Sequence, residues 1–173
     1  MNREEVILVD EHDQAIGTME KLEAHQKGLL HRAISVFIFD RQGRLLLQQR
    51  AAHKYHSPTL WTNTCCSHPA PGETAADAAH RRLQEEMGMR VPLTFAFTFH
   101  YRAPFDNGLV EHELDHVFIG YTDESPIPNP EEVAAYRWVD RAAIDREIRM
   151  HPEHYTVWFK LIYQRVLINT DAS

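Results

Sequence analysis

One strong helix signal, flanked on both sides by strand-forming sequence, restricts this chain more than any other feature. Thr74 stands where an N-cap belongs, with Asp77 three residues on, alanines fill the middle and Gly88 supplies a C-terminal stop, so a helix is expected from Thr74 to about Met87. Before it, Val6 to Val9, Ile34 to Phe39 and Leu45 to Gln49 read as strands, with Asp40-Arg41-Gln42-Gly43 as a hairpin turn. After it, Thr94 to Tyr101 alternates around Phe95, Phe97 and Phe99, and Val110 to Tyr121 makes a longer strand. Pro126, Pro128 and Pro130 mark an extended loop before a short strand from Tyr136 to Val139. Asp140 is then expected to cap a helix through about Ile148. A last helix, from near Pro152 to about Ile168, would bury Val157, Leu161, Ile162, Val166 and Ile168. Strand runs with flanking helices predict an α+β or α/β sandwich rather than a regular parallel sheet. A length of 173 residues suits one domain with a real core.

The stretch Trp61 to Gly72 (WTNTCCSHPAPG), immediately before the helix, concentrates reactive groups. Cys66 and His68 lie two apart, placing a thiol and a metal-binding imidazole together. The N-terminus carries acids where a signal peptide carries basic residues, and no apolar run is long enough to span a bilayer, so a cytoplasmic protein without membrane partners is expected. In that compartment, adjacent cysteines point to a catalytic or metal-binding thiol rather than a disulfide. A formal charge of −7 argues against nucleic acid as a partner, although a small anion can still use a local basic cluster. Twelve histidines raise the prospect of metal binding.

In LVEHELDHVFIGY, alternation puts Leu109, Glu111, Glu113, Asp115 and Val117 on one strand face and His112, Leu114 and His116 on the other. Two carboxylates pointing the same way suit a divalent cation, with His25, His31 and His68, each placed in a loop or at an element boundary, as candidate imidazoles. The competing reading is a solvated edge strand, with His112 and His116 at the surface. On the helix, Arg82, Glu85 and Glu86 share one face, which alone is an ordinary surface salt bridge. Lys21, Arg50 and Lys54 read alone as solvated charges, His53 and His56 as surface loop residues, and Tyr101 and Trp158 as core aromatics.

Residues 67–89 (SHPAPGETAADAAHRRLQEEMGM) resemble a Nudix box, G-x5-E-x7-R-E-U-x-E-E-x-G-U. Glu73, Arg81, Leu83, Glu85, Glu86, Gly88 and Met89 match, whereas Ser67 replaces the first Gly and Arg82 replaces the Glu after the Arg. The replaced Glu belongs to the acidic set that holds magnesium in the hydrolases. An Arg in its place suits contact with phosphate oxygens instead. With GTMEKLEAHQKGLLHRAISVFIFD, LLLQQRAAHKYHSPTLWTNTCCSHP, FHYRAP, LVEHELDHVF and a late aromatic helix, the chain is similar to type I isopentenyl-diphosphate isomerases over most of its length.

That resemblance implies a single Nudix-like domain over residues 1–173, an α/β/α sandwich with a mixed sheet, acting as a monomer on a small allylic or homoallylic diphosphate in isoprenoid biosynthesis. It implies a reactive Cys66 with Cys65 packing, and one divalent ion (manganese, zinc or iron) on His25, His31, His68, Glu111 and Glu113. It further implies magnesium bound with the diphosphate by Glu86 and the Cys66 backbone carbonyl, phosphate contacts from Lys21, Arg50, Lys54 and Arg82, and active-site roles for Tyr101 and Trp158. The chemistry demands such groups: moving the double bond requires one proton added and another removed two atoms away, through a tertiary carbocation. Cys66 would serve one face, Glu113 with Tyr101 the other, and the Trp158 ring the cation. Two other readings are a Nudix hydrolase cleaving a nucleoside diphosphate linkage, and a zinc-stabilised module using both cysteines.

Overall fold

The longest run of β-forming residues becomes the middle of the sheet in the computed structural model, which describes residues 4–54 and 56–171. The chain runs β1 (Glu5–Val9), β2 (Ala15–Glu20), α1 (Lys21–Lys27), β3 (His31–Phe39), β4 (Arg44–Arg50), β5 (Trp61–Thr62) and β6 (Cys65–Ser67). It continues through α2 (Ala75–Met87), β7 (Thr94–Pro104), β8 (Val110–Tyr121), β9 (Val133–Asp140), α3 (Arg141–Met150), a 3-10 turn (Pro152–His154) and α4 (Val157–Asp171). The single mixed sheet pairs β3 in parallel with β8 and antiparallel with β6, while β7 flanks β8 and β9 flanks β4. The parallel register sets His31 beside Glu113 and carries on to Phe39 beside Tyr121.

Alternation along β3 builds two cores. Ile34, Val36 and Ile38 face α2, where Ala78, Ala79, Leu83 and Met87 pack against them. Phe37 and Phe39 face the other way, against Ile144 of α3 and Phe159, Ile162 and Val166 of α4. A strand buried on both faces reads as a nearly continuous apolar run, as VFIF at the end of β3 does. The result is one domain, an α/β/α sandwich as expected. The α2 cap also forms as expected: Thr74 accepts from the Asp77 amide, and Gly88, at φ 63°, closes the helix by donating to the Gln84 carbonyl.

Several expectations change. The segment Ala15–Lys27 holds a strand and a helix that the pattern did not announce. Ile162 and Val166 are buried as expected, but Leu161 and Ile168 are exposed and Trp158, Phe159 and Tyr163 join the buried set, because the apolar residues nearly encircle α4 and leave its inner face unmarked. The last helix also starts at Val157, after the separate 3-10 turn. The solvated-edge reading of the acidic strand is overturned, because β8 is paired on both sides and buries Glu111, Glu113 and Asp115. His116 is buried too, and its Nε2 meets Asp13 Oδ2 at 2.8 Å. Among the described residues, no helix is long and apolar enough to cross a membrane.

Candidate active site and metal centre

Three elements and two loops bring the donors together at one end of the β3–β8 pair. The helix α1 begins at Glu20, whose side chain accepts from the Glu23 amide, and ends at left-handed Gly28; between them it buries His25. His25 Nδ1–H donates to the Lys21 carbonyl (2.7 Å), and His31 Nδ1–H to the Leu29 carbonyl (2.9 Å). A carbonyl only accepts, so these bonds place the proton on Nδ1 and leave Nε2 a bare lone pair. Those nitrogens face carboxylates: His25 Nε2 lies 3.3 Å from Glu111 Oε2, and His31 Nε2 lies 3.1 Å from Glu113 Oε2. Lone pair against anion repels unless a proton or cation lies between, so the donor set fits a divalent ion. His68 Nε2 adds a 2.8 Å approach to the same Glu113 oxygen. The donors fall into two overlapping groups that could hold an ion, His25/His31/His68/Glu113 and His25/His56/Glu111, each within 4.8 Å.

The electrostatics follow from packing so many polar groups away from water. Burial alone would raise the Glu113 carboxyl; with a second proton on the His31 imidazole, and with Nε2 of His31 and His68 then donating, it is held well below the usual range, and a cation in the place of those protons acts in the same direction. Burial, with Glu113 beside it, pushes Glu111 up. Burial drives His68 down to about 4 against the pull of Glu113, and His56 down to about 2 with help from Arg50. Tyr101 Oη–H donates to Glu113 Oε1 at 2.5 Å, and burial raises its phenol. Asp115, on the same strand face, lies deeper, where Ser35 Oγ–H donates to it at 2.6 Å.

Alternation in β6 separates the two thiols. Cys65 is fully buried in the α2 core, whereas half-buried Cys66 packs with Tyr101 and Trp158. Among the described residues neither donor group includes a cysteine, so the closed thiolate-metal reading loses its basis. Trp158 Nε1–H donates to Cys66 Sγ (3.1 Å), with Asn63 Oδ1 at 3.5 Å. Burial pushes the Cys66 thiol up to about 12, opposed by Arg50 and assisted by Glu86.

A cleft of ≈ 500 Å³ joins these groups to Lys21, Arg50, Lys54, Arg82 and Glu86. Arg82 Nη2–H donates to Glu86 Oε2 (2.7 Å), and Gln48 Nε2–H to Glu86 Oε1 (2.9 Å). Lys54 is paired with Glu132, and Lys21 Nζ lies 3.3 Å from Glu4. The Arg50 guanidinium stands 5.3 Å from the centre of the Trp158 ring. Every site residue read from the sequence except Tyr101, His25 and His31 lines this cleft, and those three touch residues that do. The box residues Glu73 and Arg81 form a bidentate pair with each other (2.7 and 2.8 Å) outside that lining. Gln48, Glu132 and His56 were missed. His56, expected at the surface, is buried with Nε2 3.3 Å from Glu111 Oε1. It lies in an irregular loop where no periodicity marks an inward side chain.

The sheet between helices and the altered box on α2 define a class. The family model described as NUDIX domain matches residues 29–161. Solved structures agree at the level of fold: DR0079 from Deinococcus radiodurans superposes with a TM-score of 0.76 at 20% identity, covering 93% of this chain and 98% of that one. The MutT protein from Methanosarcina mazei Go1 gives 0.65 at 18% identity, covering 79% and 91%. Curated relatives are far more similar: the isopentenyl-diphosphate Delta-isomerase of Pectobacterium atrosepticum is 57% identical over 94% of this chain and 90% of its own. Isopentenyl-diphosphate Delta-isomerase 2 of Aromatoleum aromaticum is 54% identical over 95% and 87%. The chain belongs to the isopentenyl-diphosphate Delta-isomerase family.

Proposed function

We propose that this cleft interconverts isopentenyl diphosphate and dimethylallyl diphosphate by proton addition and removal through a tertiary carbocation. The observation that carries the reading is one cleft lined by a half-buried thiol, a buried carboxylate and four cationic side chains. Lys21, Arg50, Lys54 and Arg82 hold the diphosphate within an acidic protein, where a local positive cluster creates a favourable field for it. Glu86 and the Cys66 carbonyl would take the magnesium that accompanies the diphosphate, hard oxygen donors suiting that ion.

Cys66 and Glu113 exchange protons with the two ends of the allylic unit, and because the reaction is reversible each donates in one direction and accepts in the other. Tyr101, through its 2.5 Å bond, orients the Glu113 carboxylate. Trp158 fixes the Cys66 sulfur and offers a ring face to the cation, worth about 2 kcal/mol when water is excluded. His25, His31, His68, Glu111 and Glu113 would hold one manganese, zinc or iron ion, which supplies orientation and tunes the proton affinity of Glu113. Action as a cytoplasmic monomer on a small diphosphate, without nucleic acid or membrane partners, is part of the same proposal.

Incubation with isopentenyl diphosphate and magnesium should yield the dimethylallyl isomer without phosphate release. Cys66→Ala should abolish turnover with fold and metal content intact. Near-normal turnover in that variant, or phosphate release in place of isomerisation, would sink the assignment.

A further inference from the structure

We infer that His56 supplies a sixth protein ligand to the ion of the His/Glu site and closes its coordination sphere. The inference deepens the metal-centre reading above and rests on it. Glu111 lies between two imidazoles, with Oε2 3.3 Å from His25 Nε2 and Oε1 3.3 Å from His56 Nε2. Glu113 lies between two others, at 3.1 Å from His31 and 2.8 Å from His68. Donors bound side by side in an octahedron at about 2.0–2.2 Å stand about 2.8–3.1 Å apart, so the two 3.3 Å approaches to Glu111 need only a few tenths of an ångström of closure. His56 therefore meets Glu111 at the same spacing as the other three imidazoles meet their carboxylates.

The rings converge as well. His25 lies between His31 at 4.9 Å and His56 at 5.4 Å, centre to centre, and His31 is 5.1 Å from His68. His56 is held in this position by its surroundings. Phe105 stacks on one side at 5.8 Å, Trp158 meets it edge-on at 5.8 Å, and Arg50 Nη2–H donates to its carbonyl at 3.3 Å. A mere surface loop residue would not be 7% exposed between two aromatic rings and a carboxylate.

Four imidazoles and two carboxylates satisfy an octahedral, borderline cation completely. Such an ion has no open position for water or substrate, unlike a catalytic zinc with three protein ligands. Its work is then to hold Glu113 in place rather than to act as a Lewis acid.

The test uses the full chain stripped of metal, reloaded with Mn²⁺ and freed of excess ion. Water-proton relaxation of the wild type should show no water bound directly to manganese. His56→Ala should gain one exchanging water and lose at least about tenfold in Mn²⁺ affinity. X-ray absorption of the zinc-loaded wild type, which needs no variant, should count four imidazoles. Three imidazoles with a bound water already present in the wild type would overturn the role of His56 and leave the metal centre standing. Failure to bind either ion at this site would overturn both.

Discussion

Replacing Arg82 by Ala isolates the feature that separates this box from the hydrolase pattern. Arg82 Nη2 bonds Glu86 Oε2 at 2.7 Å, Nη1 reaches Glu85 at 3.0 Å, and Glu132 lies 3.5 Å away. Glu86 is 4% exposed, and without Arg82 it keeps the neutral Gln48 amide as a hydrogen-bond donor. Breaking a buried pair by removing one member costs about 3–5 kcal/mol, because the remaining charge is uncompensated. The cleft admits some water, and the Arg82 side chain is 13% exposed, so about 2–3 kcal/mol is the reasonable figure here. For a domain of this size that lowers the thermal midpoint by about 4–12 °C. Urea denaturation of the wild type, Arg82→Ala, Glu86→Gln and the double variant forms a complete cycle. The double variant should recover at least half of the loss, since a neutral amide at position 86 needs no counter-charge. Magnesium should stabilise Arg82→Ala more than the wild type, by neutralising the orphaned carboxylate. Arg82→Ala within about 0.5 kcal/mol of wild type, or strictly additive losses in the double variant, would refute the reasoning.

Cys66 alkylation by iodoacetamide should be slow at pH 7.5 and rise about tenfold per pH unit without a plateau through pH 9.5, because burial holds the thiol up to about 12; a plateau below pH 9 contradicts this. Tyr101→Phe should leave the urea midpoint nearly unchanged and reduce turnover by about 10–100-fold, the value of one hydrogen bond to a charged group; unchanged turnover removes Tyr101 from the site. Gly88→Ala should destabilise by at least about 1–2 kcal/mol in a thermal melt, because φ is +63° and the new Cβ would stand 2.6 Å from the Ile127 carbonyl oxygen. Stripping divalent ions with a chelator should lower the thermal midpoint, and adding Mn²⁺ back should restore it in a concentration-dependent way.

The helix α2 was legible to the residue because its ends carry chemical punctuation: Thr74 and Gly88 each satisfy a backbone group at a terminus. β8 was legible as a long run without proline, and the alternation of side chains along any strand put Glu111 and Glu113 on one face. β2 escaped notice because its residues are mostly exposed and leave no apolar alternation, and α1 because seven residues make fewer than two turns. β5 and β6 span two and three residues, too few to show a period. Among the candidate metal donors, all four imidazoles lie in segments that resemble a known family, but the resemblance assigned an ion only to His25, His31 and His68, whereas the inward turn of His56 depends on how a loop folds back over the sheet. That path is set by contacts with Phe105, Trp158 and Glu111, all distant in sequence. Asp115 shares the face of Glu113, but depth along the strand, set by pairing with β3, gives it to Ser35 instead.

The parallel pairing of β3 with β8 would also set when the proposed metal site could capture an ion. His31 and Glu113 touch across a separation of 82 residues, and His25 and Glu111 across 86. At about 5–20 residues per second of synthesis, the imidazoles of α1 and β3 leave the ribosome about 4–17 s before the carboxylates that complete their site. An early ion would meet nitrogen donors alone, without the anionic partners that favour a hard or borderline cation. Capture of an ion there would therefore be a late event, reporting that the middle of the sheet has closed in its correct register.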